Sequence, residues 1–132
     1  MKYIITMLLA SLLCLPAMAQ DRNHVLSHAE VISTSQFTGA SNHVTTGTAR
    51  LLRHGRSHYV HLTGNFQFDG APDPYLGFSK KGKLVSTSLF SKLMQNSGEQ
   101  LYRLPNTFKL KDVDTLTLYC LKFSVPLGHA KL

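Results

Sequence analysis

The chain has no tryptophan and only two cysteines among its 132 residues. Acidic side chains are also scarce: seven, against fourteen lysines and arginines, for a formal net charge of +7. Each shortage excludes something. Two cysteines cannot build a scaffold of several disulfides. No Cys-x-x-Cys and no His-Glu-x-x-His run is present, so no metal or dithiol motif is written locally. Seven thinly spread carboxylates offer no pair with the context for acid–base work. No serine sits in a nucleophile elbow, and no Gly-rich loop opens a helix to hold phosphate. With no basic helix and no stacking motif, nucleic acid is not expected as a partner.

The first residues are a targeting device. Lys2 supplies a positive charge, Tyr3 to Leu15 is almost wholly apolar, and Ala17-Met18-Ala19 is a small-x-small cleavage site. That pattern is a secretory signal peptide, and its apolar run is short for a membrane span. Residues 1–19 are therefore read as a leader, and periplasmic or extracellular export is expected. Cys14 follows Leu13, where a lipoprotein signal needs a small residue, so it is expected to leave with the leader. No transmembrane helix is expected afterwards. The mature chain, Gln20 to Leu132, has the size of one domain. Its positive charge favours anionic partners such as an acidic protein, or serves solubility alone.

Period-two patterning dominates the rest. Residues 20–36 form an N-terminal segment, loose or briefly helical. Val44 to Leu52 reads as a strand, and Arg53 to Ser57 as a hairpin turn. From His58 to Phe68 the alternation places Val60, Leu62, Phe66 and Phe68 inward, with Tyr59, His61 and Gln67 outward. Asp69 to Pro74, with Pro72 and Pro74, breaks that strand, and Tyr75–Ser79, Glu99–Leu104 and Thr115–Val125 read as further strands. Leu89, Phe90, Leu93 and Met94 have helical spacing over two turns. The expected fold is all-β: a small antiparallel sandwich or barrel-like domain with one short helical segment. Phe66, Phe68, Phe78, Tyr102 and Phe123 are assigned to its core.

Cys120 is the one thiol of the expected mature chain. In an oxidising compartment a lone thiol is unusual. The apolar phase of its strand changes after it, from Leu116 and Leu118 to Leu121, Phe123 and Val125. The strand is therefore expected to bulge or leave the sheet at Cys120. The residues leave two roles open: a reactive or ligating thiol, or a small buried hydrophobe. Lys122 would favour the thiolate if it lies close. His24/His28 and His54/His58 are four apart, but the second pair falls in a turn, and no metal site is assigned. Arg50, Arg53, Arg56, Lys80, Lys81 and Lys83 flank turn tips, as solvated edges or as a docking patch for an acidic redox partner.

Five elements in order then suggest a family. They are Phe37-Thr38-Gly39 before His43-Val44-Thr45-Thr46-Gly47; Asn65-Phe66 with Ala71-Pro72-Asp73-Pro74; Gly98-Glu99-Gln100-Leu101-Tyr102-Arg103-Leu104-Pro105; Tyr119-Cys120 with Phe123; and Ala130-Lys131-Leu132. The segment 37–132 resembles a DM13 domain, a small extracellular module found elsewhere beside DOMON and cytochrome b561-type domains. Asn65 stands where the family usually has aspartate, and Tyr119 where it often has tryptophan. The resemblance implies an accessory role in redox or electron transfer through Cys120. It also makes His43 a candidate cofactor ligand, with the cofactor itself unknown. The alternative is a non-catalytic binding module for an envelope or extracellular partner.

Overall fold

The structure is a computed structural model, and it describes residues 17–132. The leader assigned to residues 1–19 lies outside the described residues except for its last three. The described chain opens with a helix, α1 (Ala17–His28). Twelve strands follow: β1 (Glu30–Gln36), β2 (Thr38–Gly39), β3 (Thr45–Thr46), β4 (Thr48–His54), β5 (Ser57–Leu62), β6 (Gln67–Phe68), β7 (Pro74–Lys80), β8 (Lys83–Val85), β9 (Ser91–Lys92), β10 (Gln100–Arg103), β11 (Thr115–Cys120) and β12 (Val125–Lys131).

Two antiparallel sheets enclose the core. One has the order β1-β4-β5-β10. The other runs β2-β12-β11-β7-β8, with β9 also on β7, and β3 pairs separately with β6. The chain passes between the sheets at Phe37, and Ser35 Oγ donates to the Lys131 carbonyl there. Leu51, Val60, Leu62 and Tyr102 project from the first sheet, and Leu76, Phe78, Leu116, Leu118 and Leu127 from the second. Phe66 joins them, fully buried against Phe37 with ring centroids 5.5 Å apart. Burial of this kind is the main term holding so small a domain together.

The alternation from His58 to Phe68 is real, but two strands share it. β5 ends at Leu62, a turn follows, and β6 resumes at Gln67. Asn65 fastens that turn: its side chain accepts from the Thr48 amide at 2.9 Å and donates to Thr48 Oγ1 at 3.1 Å. Gly47 separates β3 from β4 within the expected Val44–Leu52 strand. Its φ is +103°, and a Cβ there would stand 2.5 Å from the Phe66 Cα, so only glycine fits.

Three expectations need correction. His61 does not face solvent; it is 7% exposed. On the outer face of the first sheet it lies beside Leu101 in register, and α1 covers that face through the buried Val25. Its Nε2 stands 3.5 Å from Glu99 Oε2, too far for a good hydrogen bond, and Glu99 in turn meets Arg22 of α1 at 3.3 Å. Burial holds the His61 imidazole below its ordinary pKa, against the raising influence of Glu99.

Second, residues 89–94 are not helical. A short 3-10 turn at Ser86–Ser88 leads into β9. The Ser88 hydroxyl engages both the amide and the carbonyl of Phe78, and the Phe90 amide donates to the Leu76 carbonyl. The segment is tied along the β7 edge, which satisfies its backbone without a helix. The one α-helix among the described residues is α1. Third, Thr115–Val125 is a hairpin, not one strand. Its turn occupies residues 121–124, and Phe123 is 62% exposed rather than in the core.

Candidate functional site

Cys120 is the last residue of β11, paired with Pro74 on one side and Val125 on the other. Its side chain is 1% exposed and packs in the core with Leu116 and Leu118. The thiol is free, and its Sγ donates to the Pro72 carbonyl at 3.0 Å. The strand leaves the sheet immediately afterwards, as the phase change in the sequence requires. The Leu121 amide donates to the Asp73 carbonyl at 3.2 Å, holding the departing chain against the 69–74 loop. Asp73 and Ser124, one on each segment beside the thiol, have φ of 57° and 53°. Such left-handed backbone is costly outside glycine and persists where surrounding contacts impose it. The Lys122 ammonium lies over the Phe123 ring, 5.6 Å from its centroid.

His43 is held by the same loop. Its Nδ1 bonds to Asp69 Oδ1 at 2.9 Å, and Asp69 Oδ2 accepts the Val44 amide at 3.0 Å. The Val44 N–H and the His43 ring together hold the Asp69 carboxyl below the usual carboxylate range. A carboxylate on Nδ1 fixes the proton there in the neutral ring and leaves Nε2 as the acceptor, the arrangement that orients ligating histidines. The ring also sits 5.8 Å from the Phe68 ring. Gly39 makes the approach possible: a Cβ on it would lie 2.0 Å from the His43 carbonyl oxygen.

Loop 69–74 is thus a hub. It takes His43 through Asp69, Cys120 through Pro72, and Leu93 through the Pro74 carbonyl at 2.9 Å. The segments joined to it carry Val44, Met94, Leu121 and Phe123, four of the seven exposed large apolar residues among the described ones. The Gly98-to-Pro105 motif has a structural task beside it. Gln100 and Tyr102 point inward from β10; the Tyr102 hydroxyl accepts the Met94 amide at 3.0 Å, and Gln100 holds both backbone groups of Gln95. Burial raises the Tyr102 pKa, so the phenol stays protonated.

The other histidines are scattered differently. His24 and His28 stack on α1 with centroids 4.4 Å apart, and His54 meets His24 edge-on at 5.2 Å. His129 lies behind Thr117, which bridges it to Ser79, and burial lowers its pKa. Among the described residues no group of three or more His, Cys, Asp or Glu side chains is disposed to hold a metal ion. No described helix is long and apolar enough to cross a membrane. Sequence reasoning singled out Cys120 and His43 but missed Asp69 and Pro72. Asp69 lies in a segment read as a strand breaker, Pro72 in that breaker and in one of the family elements, and their partners are 26 and 48 residues away.

A domain of two antiparallel sheets around one core belongs to the class of small all-β modules. More narrowly, the chain belongs to the family described as electron transfer DM13, whose model matches residues 36–132. Neither the curated proteins nor the solved structures yielded a match. The family's description ties the chain to electron transfer in general terms. α1 and nearly all of β1 precede the matched region.

Proposed function

We propose that this chain is an exported accessory module of an electron-transfer assembly, with Cys120 as its functional thiol and His43 as a second ligand candidate. The observation that carries the reading is the hub: one loop holds both side chains, and the apolar residues Leu121 and Phe123 are exposed right beside the thiol. Once the leader is removed, Cys120 has no second cysteine in its own chain. Its redox use is therefore ligation of an electron-carrying group, or exchange with a partner's disulfide, in which the Cys120 thiolate forms a mixed disulfide and one partner sulfur leaves as a thiolate, rather than an internal disulfide. Either use requires loop 69–74 to lift from the sulfur. The exposed Phe123 is suited to anchor a protein partner on that side.

Purification from the native export compartment, followed by an absorption spectrum and an intact mass, tests this directly. A chromophore or a modified thiol that disappears in Cys120→Ser supports it. Alkylation of native Cys120 that is negligible beside the unfolded chain, with no chromophore, overturns it. The 1% exposure of Cys120 favours a second reading, a binding module that docks an envelope or extracellular partner while Cys120 serves only as core.

A further inference from the structure

Away from the hub, α1 crosses the outer face of the first sheet without sealing it. An open cleft of about 710 Å³ remains between helix and sheet. That volume is within the range of small-molecule sites, about 300–1,000 Å³. Tyr59 and Leu101 supply an apolar surface, and Arg22, His24, His54 and Arg103 surround it. Among the described residues, Asp21 is the only carboxylate that lines the cleft.

The two arginines differ. Arg22 is committed to Glu99 at 3.3 Å. Arg103 donates to the Ser57 hydroxyl at 3.0 Å, and no carboxylate among the described residues lies within ion-pair distance of it. Arg103 is next to Leu101 in sequence with one residue between, and it pairs in register with Tyr59. An uncompensated guanidinium therefore stands beside an aromatic side chain at the edge of an apolar cleft. A guanidinium presents a planar fork of donors that suits a carboxylate or sulfonate, and it also stacks on aromatic faces.

We infer that this cleft binds a small planar organic anion, an aromatic carboxylate or sulfonate, with its ring against Tyr59 and Leu101 and its charged group on Arg103. A cationic ligand meets two arginines there. A bare phosphate leaves the apolar surface unused. The assignment does not depend on the role of Cys120: of the residues lining the cleft, Met94 lies on a segment joined to the hub loop 69–74, and the anion's proposed contacts, Tyr59, Leu101 and Arg103, lie on β5 and β10.

Titration of the secreted protein with 2-naphthoate, followed by calorimetry and by amide chemical shifts, tests the inference. Saturable binding is expected, with shifts centred on Tyr59, Leu101 and residues 22–25. Arg103→Glu should weaken it at least about tenfold, a change of about 1.4 kcal/mol in binding free energy. Arg103→Lys should retain part of it, and 2-naphthol, which lacks the charge, should bind at least about tenfold more weakly than 2-naphthoate. Arg103 is exposed, so the fold of its variants can be checked by circular dichroism. Phe123→Ser should leave binding unchanged. Absence of saturable binding, equal affinity in folded Arg103→Glu, or shifts centred on Leu121 and Phe123 would each overturn the assignment.

Discussion

At the scale of single residues, Asp69 is the direct tie between His43 and the hub loop, and its charge is the part most open to test. Its carboxyl is held below the ordinary value of 3.8, first by the Val44 N–H and then by His43. A depressed carboxylate stabilises the fold above its unfolded pKa, and that contribution is lost as pH falls through the folded pKa. Asp69→Asn should therefore lower the denaturation midpoint at neutral pH, and the gap from the parent should close below 3.8. A gap that persists unchanged in acid would show that the charge of Asp69 contributes nothing. Cys120 shows what one residue's neighbours in sequence reveal. The phase change after it pointed to a bulge or an exit from the sheet, and the strand does end there. The turn itself was hidden, because Leu121, Phe123 and Val125 continue an apolar alternation that a hairpin tip happens to share.

At the scale of elements, the His58–Phe68 alternation was legible because both β5 and β6 obey the same inward phase across an intervening turn. Phe66 is fully buried and Gln67 is exposed. Phe66→Ala should cost about 3–5 kcal/mol of stability, from lost burial and the cavity left behind. Gln67→Ala should shift the urea midpoint little. Comparable losses for the two would contradict the assigned faces. The helix was the hard element. Residues 89–94 have the right spacing, but the free edge of β7 captured them, and tertiary pairing overrides a two-turn pattern. The helical stretch at α1 gave no such signal, since Val25 is its one buried residue among those whose burial is described. The burial of His61 could not be read from β5 alone for the same reason: its cover comes from a distant, weakly amphipathic helix.

For the whole molecule, two histidines set a pH response that belongs to the folded state. Burial lowers the pKa of both His61 and His129 from 6.5. Below that value the unfolded chain binds protons that these folded rings resist, so stability rises with pH there and falls on acidification. Denaturation midpoints measured downward from 6.5 should drop, and His61→Gln with His129→Gln together should flatten the slope. A slope as steep in the double variant would assign the acid sensitivity elsewhere. The net charge of +7 was legible from composition and bears on partners and solubility, not on which loop carries chemistry. The gathering of loops around residues 69–74 was not legible, because it depends on backbone bonds between segments far apart in the chain.

β1 has a further consequence. It is the end strand of its sheet, and Val31 and Ile32 are 49% and 43% exposed on it. Its pairing with β4 slips between Val31 and Ser33, leaving Ile32 as an extra residue without a partner. Such a bulge twists a free edge away from the flat ladder that another chain needs as a template. The irregularity thus guards this edge against fibre growth. Deleting Ile32 should straighten the strand and speed thioflavin-positive aggregation in concentrated solution, whereas Ile32→Lys should keep the protein dispersed.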